Sequence, residues 1–517
     1  MPSVETLLKQ DFGSIPELIH QHALERPAHL ALAHESRMLS YGELDALMDR
    51  VAAAFQRDGL KVGDSIAIAA TTSIEYAVTF LGAVRAGVAV APLAPSSTPE
   101  SLAAMIADCA AKFVFLDVGV ANALSGVELT ASRVALDGSN AVGRAWESWV
   151  APPGAQPSAA DIAPEGAFNI IYSSGTTGTP KGIVQPYKMR WAHVRRSGEG
   201  GYGPECVTLV STPLYSNTTL VSFFPALTLG GSIVLMSKFE ALKYLQLSEK
   251  YGVTHAMLVP VQYQRIMDLP EFERFDLKSF RMKYCTSAPF SAELKARVLA
   301  KWPGGLVEYY GMTEGGGTCV LLCHMFPNKL HTVGFPAPGH DIRLIDDEGR
   351  EVPKGEAGEV VGRSPVAMMT GYHNQPGKTA DAIWTDPSGN QFIRTGDVGR
   401  FDDEGFLTLM DRKKDMIISG GFNIYPSDLE AVLRQHPAVS DVAVVGVPSE
   451  AWGETPIAFA VRANDAEATA DEIREWANAR VGKTQRLTAL ELVSELPRSA
   501  IGKVLKRQLR DKYVAKA

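Results

Sequence analysis

The stretch Ile170-Ile-Tyr-Ser-Ser-Gly-Thr-Thr-Gly-Thr-Pro-Lys-Gly182 decides how the chain is read. An apolar strand runs into Ser173, Ser174, Gly175, Thr176, Thr177, Gly178, Thr179 and Pro180, and the run ends on Lys181. Glycines let a backbone turn several N–H groups toward one point, and the threonine hydroxyls and Lys181 add further donors. Such a loop is a cradle for phosphate oxygens. It is not the GxxxxGK[ST] loop, because Lys181 is followed by Gly182 and the glycine spacing differs. A flexible Ser/Gly/Thr linker has the same composition. A linker does not fit between a buried strand and a continuing alternation of strands and helices.

Outward from that loop, the pattern is α/β. Leu39–Leu44 opens an amphipathic helix with Leu44, Leu47, Val51 and Phe55 on one face. Ser65–Ala70 and Val88–Leu93 read as buried strands around a helix at Ile74–Ala86. Thr254–Val259, Met282–Thr286 and Leu306–Tyr310 are further strands. Alternation of this kind implies parallel sheets covered by helices on both faces. Cys206–Ser237 carries no charged residue over 32 positions, longer than a membrane helix needs. Its Ser, Thr and Asn residues and the pair Gly230–Gly231 make it a buried strand, a helix and a second buried strand instead. From Asp341 to Leu409, short runs divided by Asp/Gly turns suggest antiparallel β structure. A boundary falls near Asp411–Asp415, followed by a compact α+β unit.

Composition narrows the classes. The 517 residues allow about three folding units. A net charge of −8, from 50 basic and 58 acidic residues, disfavours a nucleic-acid partner. Five cysteines, an odd number without a CxxC pair, argue against a disulfide framework or structural zinc. Cys319 and Cys323, four apart, could share a helix face and read as small apolar residues. The N-terminus has early acidic residues and no apolar core, unlike a signal peptide. A cytoplasmic protein without integral membrane association is expected, and the sequence leaves monomer and homodimer open.

Three more segments carry chemistry. In Glu308-Tyr-Tyr-Gly-Met-Thr-Glu314, a strand ends and presents Thr313 and Glu314, and a carboxylate beside a hydroxyl suits a magnesium ion on nucleotide phosphates. In Ile393-Arg-Thr-Gly-Asp397, an Asp after a glycine turn can accept both ribose hydroxyls. In Pro497-Arg-Ser-Ala-Ile-Gly-Lys503, a lysine after glycine supplies a point charge for a developing anion. The last 20 residues hold seven basic side chains and one acidic one, as a solvated surface helix would.

In this order, together with Gly63-Asp64, Ser287-Ala288-Pro289, Gly358-Glu359, Asp411–Asp415 and Ser419-Gly420-Gly421, the segments resemble the adenylate-forming superfamily. That superfamily includes acyl- and aryl-CoA synthetases, luciferases and adenylation domains, and the resemblance covers nearly the whole chain. It implies a large N-terminal domain, 1–412, of several subdomains: two αβαβα-type layered sheets plus a β-barrel-like part. It implies a small mobile α+β C-terminal domain, 413–517. The implied cofactors are ATP, Mg2+ and coenzyme A. The implied reaction joins a carboxylate to the α-phosphate, releases pyrophosphate, and passes the acyl group to a thiol.

By the same resemblance, Ser173–Lys181 holds pyrophosphate, Thr313 contacts the α-phosphate, and Glu314 is the magnesium ligand. Ser287, Ala288, Tyr310 and Gly311 flank adenine, and Asp397 with Arg412 holds ribose. Lys503 is the catalytic lysine of adenylation, Lys414 the hinge, and Ser419, Gly420 and Gly421 the loop that swings in for thioester formation. The acid pocket falls to Tyr215, Ser216, Asn217, Val259, Gly315, Gly316 and Cys319. Two departures stand out. Ser216 replaces a histidine common in acyl-CoA synthetases. Gly315-Gly-Gly317 is unusually small, either a roomy pocket floor or simply a turn. The expected function is an ATP-dependent, AMP-forming ligase for an apolar acid, aromatic or medium-chain. The alternative is a free-standing enzyme that loads an acid onto a carrier protein.

Overall fold

A computed structural model of the chain describes residues 3–139, 143–173, 180–198, 200–412, 415–419, 422–449, 452–463, 466–499 and 502–515. They fall into two units. The first comprises Met1–Leu330, Ala337–Asp341 and Gly362–Ile393; the second comprises His331–Pro336, Ile342–Val361 and Arg394–Ala517.

Two large sheets build the first unit. In one, Leu30–His34, Ser232–Leu235, Val207–Val210, His255–Leu258, Met282–Cys285 and Gly305–Tyr310 lie side by side and parallel. Cys319–Leu322 and Arg37–Ser40 add antiparallel strands. In the other, Ser132–Ala135, Phe113–Leu116, Ser65–Ala69, Ala89–Pro92 and Ala167–Ser173 are parallel. Lys181–Pro186 and Gly371–Tyr372 close that edge antiparallel. Parallel strands are buried on both faces, which is why Ser65–Ala69 and Ala89–Pro92 are buried throughout. The charge-free stretch is the expected strand, helix and strand: Val207–Val210, Asn217–Thr228 and Ser232–Leu235. Among the described residues no helix is long and apolar enough to cross a membrane.

Local sequence sets the helices. Ser40 accepts from the Glu43 N–H while Glu43 accepts from the Ser40 N–H, a capping box that starts helix Tyr41–Arg57. Leu44, Val51 and Phe55 are buried on its inner face, as their spacing predicts. Cys319 and Cys323 correct one expectation. Cys319 opens a strand, Cys319–Leu322, and Cys323 follows it, so no helix face is involved. Both are buried and free.

Asp341–Ile345, Gly358–Arg363, Gln391–Phe401 and Leu407–Arg412, most of whose residues belong to the second unit, form successive neighbours of a sheet, and the last two pair antiparallel, as the turns suggest. A separate sheet orders Phe422–Ile424, Ile417–Ser419, Gly453–Arg462 and Val439–Ser449, with Ala489–Val493 parallel to Gly453–Arg462. Helices Pro426–Leu433, Ala470–Asn478 and Lys506–Val514 complete this α+β part.

His255 offers a test of the first unit. It is buried against Tyr202 and Tyr284, and burial lowers its pKa to about 4. Its ordinary value is near 6.5, so the unfolded chain binds a proton that the folded one refuses. Stability from this group is full above about pH 6.5 and is lost as pH falls toward 4. Urea unfolding from pH 7 to 4.5, followed by tryptophan fluorescence, should show a slope that His255→Asn reduces. An unchanged slope contradicts the assignment.

Candidate active site

The phosphate-loop motif sits on a hairpin. Ser173 and Lys181 are register partners in the antiparallel pair Ala167–Ser173 and Lys181–Pro186. The chain therefore leaves and re-enters the sheet side by side. Ser174, Gly175, Thr176, Thr177, Gly178 and Thr179 lie outside the described residues.

Lys181 ends over the ring of Tyr372, its Nζ 4.9 Å from the centroid. The Tyr372 hydroxyl donates to Glu314 Oε1 at 2.9 Å. One tyrosine thus stands between a cation on its face and a carboxylate at its tip. Tyr372 contacts both groups, Lys181 through its face and Glu314 through its hydroxyl. Burial first, and Glu314 next, push the Tyr372 hydroxyl above its ordinary pKa, so it remains a donor. Tyr372 was not legible as a site residue. It lies on a two-residue strand, Gly371–Tyr372, whose pairing with Ile183 and Val184 carries it to the loop.

Thr313 and Glu314 follow strand Gly305–Tyr310. The Thr313 carbonyl accepts from Gln185 Nε2 at 2.6 Å, and the Glu314 carbonyl accepts from the Met369 N–H at 2.8 Å. Both glycines that follow are at positive φ, +75° for Gly315 and +86° for Gly316. A Cβ on Gly315 would lie 2.2 Å from the Ala367 carbonyl oxygen, and one on Gly316 would lie 2.6 Å from that of Gly362. Backbone closeness therefore accounts for their smallness.

Ser287 follows strand Met282–Cys285 in a left-handed conformation, φ +83°, and shares a hydrogen bond with Thr218. A non-glycine residue held there is strained, a condition common at functional sites. Ala288 is half-buried beside it, as is Tyr310 at the end of the neighbouring strand, while Gly311 is exposed. Tyr215 and Asn217 are half-buried around the buried Ser216, at the start of helix Asn217–Thr228. Val259 and Cys319 are fully enclosed. So the first unit brings Lys181, Tyr372 and Glu314 together and joins Thr218 to Ser287.

The second unit holds the rest. Asp397 faces Arg412 in strand register, and its N–H donates to Thr395 Oγ1 at 3.0 Å. The Thr395 hydroxyl donates to the Val360 carbonyl at 2.8 Å. Arg394 grips buried Glu359 through two nitrogens, at 3.0 and 2.5 Å. This bidentate pair fixes the strand just before Asp397. Lys503 is exposed on a tight turn whose Ser499 and Lys503 backbones bond at 2.8 Å. Arg498 braces that turn, donating to the Gly502 carbonyl at 2.6 Å and to Asp441 at 2.5 Å. Ser419 is buried at a strand end; Gly420, Gly421 and Lys414, the expected hinge, lie outside the described residues.

Two parallel α/β sheets, a loop hairpin ending on a lysine, and a separate α+β unit presenting an exposed lysine define an adenylate-forming enzyme. The profile of the AMP-binding enzyme family matches residues 19–373, and that of the AMP-binding enzyme C-terminal domain matches residues 428–503. The chain belongs to the AMP-binding enzyme family. It is 33% identical to 4-coumarate–CoA ligase 5 of Oryza sativa subsp. japonica, over 92% of this chain and 90% of that protein. It is 29% identical to the fatty acid–[acyl-carrier-protein] ligase ScoC of Streptomyces coeruleorubidus, over 95% of each. The crystal structure of ATP-bound MatB from Rhodopseudomonas palustris superposes with a TM-score of 0.85 at 29% identity, covering 96% of this chain and 99% of that one.

Tyr372→Phe removes the donor to Glu314 and leaves the ring under Lys181. The expected result is a fall in kcat/KM for ATP of about tenfold, roughly 1.4 kcal/mol, with the melting temperature little changed. Unaltered ATP kinetics would rule out the role.

Proposed function

We propose that the chain is an AMP-forming acid–CoA ligase that converts an aromatic or medium-chain carboxylic acid to its CoA thioester through an acyl-adenylate. The observation that carries this reading is the Lys181–Tyr372–Glu314 arrangement, in which one tyrosine touches the lysine that ends the phosphate-loop hairpin and the carboxylate that follows strand Gly305–Tyr310. Glu314 would hold Mg2+. One carboxylate with substrate phosphates and water is a donor set that suits this ion, which, when bound, neutralises phosphate charge.

In the first half-reaction, a carboxylate oxygen attacks the α-phosphorus and pyrophosphate leaves with its electron pair. Negative charge builds on the non-bridging oxygens and the leaving group, so cations and N–H donors must be set beforehand. Lys181 and the loop amides take the leaving pyrophosphate, and the Thr313 hydroxyl takes an α-phosphate oxygen. Lys503 offsets the approach of two anions. In the second half-reaction, a thiolate attacks the acyl carbonyl and AMP leaves. Residues 1–412 are assigned ATP and acid, with Ser287, Ala288 and Tyr310 at adenine and Asp397 with Arg412 at ribose. Residues 413–517 are assigned the mobile cap, turning near Lys414, with Ser419–Gly421 serving the thiol step.

CoA is the acceptor favoured here, because the 33% relative is a CoA ligase. The carrier-protein alternative is not favoured. Five free, buried cysteines suit a reducing compartment, and we assign the chain to the cytoplasm.

Pyrophosphate release across a panel of carboxylic acids, with and without CoA, tests the reading. Release with some acid, and thioester only when CoA is present, is the expected result. No release with any acid contradicts it. For Lys503→Ala the expectation is a loss of about 10²–10³ in adenylation rate, while CoA attack on supplied acyl-adenylate is spared. Equal loss of both half-reactions removes Lys503 from the adenylation step.

A further inference from the structure

Helix Tyr187–Ser197 runs on from the phosphate-loop hairpin and carries Arg190, His193 and Arg196 at three-residue spacing, which puts them along one side. Arg196 Nη1 meets His340 Nε2. The result is a cluster of four basic side chains. Arg190 is 1% exposed, and its hydrogen bonds go to amide oxygens of Asn169, Gln185 and Asn217 rather than to a carboxylate. Among the described residues, Arg190 Nη1, His193 Nδ1 and His340 Nδ1 are buried without a hydrogen-bond partner. The groups acting electrostatically on His193 are Arg190, Arg196 and His340, and each disfavours its protonation.

Burial and these neighbours hold His193 well below its ordinary pKa and His340 at about 4, so both rings are neutral at pH 7. Arg190, lowered by burial to about 9, remains a cation. Arg190 and the two histidines therefore offer one buried cation and ring nitrogens without a partner among the described residues, chemistry that suits an anion. The cluster is not sealed, since His193, Arg196 and His340 each keep some accessible surface. It also lies where the acid would go. Arg190 Nη2 donates to Asn217 Oδ1 at 2.6 Å, and Met189 Cε would stand 2.9 Å from a Cβ on Gly315. Asn217 and Gly315 are both residues assigned to the acid pocket.

We propose that this cluster receives a second carboxylate at the far end of the substrate, so that the preferred substrates are dicarboxylic acids with an apolar body. The proposal rests on the adenylation reading above. One carboxylate is activated at the nucleotide, and the other supplies, for Arg190 and the two histidines, the partners that the described residues do not. The planar fork of a guanidinium suits a carboxylate geometrically.

The test uses the full-length protein with Mg·ATP and CoA, following pyrophosphate release. Acids are compared in pairs of the same skeleton, with and without a distal carboxylate: medium-chain aliphatic acids, benzoic acids and phenylpropenoic acids. At least one diacid should exceed its monoacid in kcat/KM by about tenfold or more. Arg190→Met should cut that ratio at least about fivefold, chiefly through KM for the diacid. His340→Gln, at a half-buried site, should cut the ratio in the same direction and serves where Arg190→Met does not fold. Monoacids equal or better in every pair, or a ratio unmoved by the folded variants, overturns the proposal. Release with monoacids alone leaves the ligase reading standing and removes only this inference, whereas no release with any acid removes the ligase reading itself.

Discussion

The first unit depends on how it accommodates the buried guanidinium of Arg190. Removing a cation from water costs several kcal/mol unless hydrogen bonds repay it. Here the repayment comes from three neutral amide oxygens and from the face of Phe168, 5.8 Å away. Those amides belong to different pieces of chain. Asn169 and Gln185 are register partners on the two strands of the loop hairpin, and Asn217 begins a helix. Gln185 reaches on to the Thr313 carbonyl. Arg190 thus clamps the base of the loop hairpin and the start of helix Asn217–Thr228, and through Gln185 the segment bearing Thr313 and Glu314. The loop's two ends, Ser173 and Lys181, are fixed because the strands beneath them are fixed.

Electrostatics in this acidic protein is organised locally. Lys181 and Glu314 both contact Tyr372, and Arg394 is spent on Glu359 to hold a strand. Lys503 is exposed on a turn that a neighbouring arginine braces through Asp441. In each case a second residue fixes the backbone or ring that carries the charge. A net charge of −8 describes none of this.

Much of the fold was legible because its signals are local. The capping box at Ser40 and Glu43, the apolar strand runs and the turn chemistry of residues 341–409 act within a few residues of each other. The motifs around Lys181, Glu314, Asp397 and Lys503 pointed to the family through their order along the chain, since each alone is also an ordinary turn or helix start. What escaped notice was set by register. Asn169 and Gln185 look like incidental polar residues in apolar strands until antiparallel pairing places them opposite one another. Tyr372 reaches Glu314 across 58 positions of chain, by way of a strand too short to show a period. Cys319 and Cys323 were misplaced on a helix because a spacing of four is also compatible with one face of a strand.

The paired glycines at 315 and 316 have a consequence for how such a protein changes over time. Carbonyl oxygens of Ala367 and Gly362 occupy the space that any side chain would need, and both residues hold left-handed backbone. Neither position can take a side chain without displacing neighbouring backbone, so the turn after Glu314 is closed to substitution whatever the advantage. Change around Glu314 must come through residues whose side chains can be exchanged without moving backbone, and the turn stays fixed while they vary.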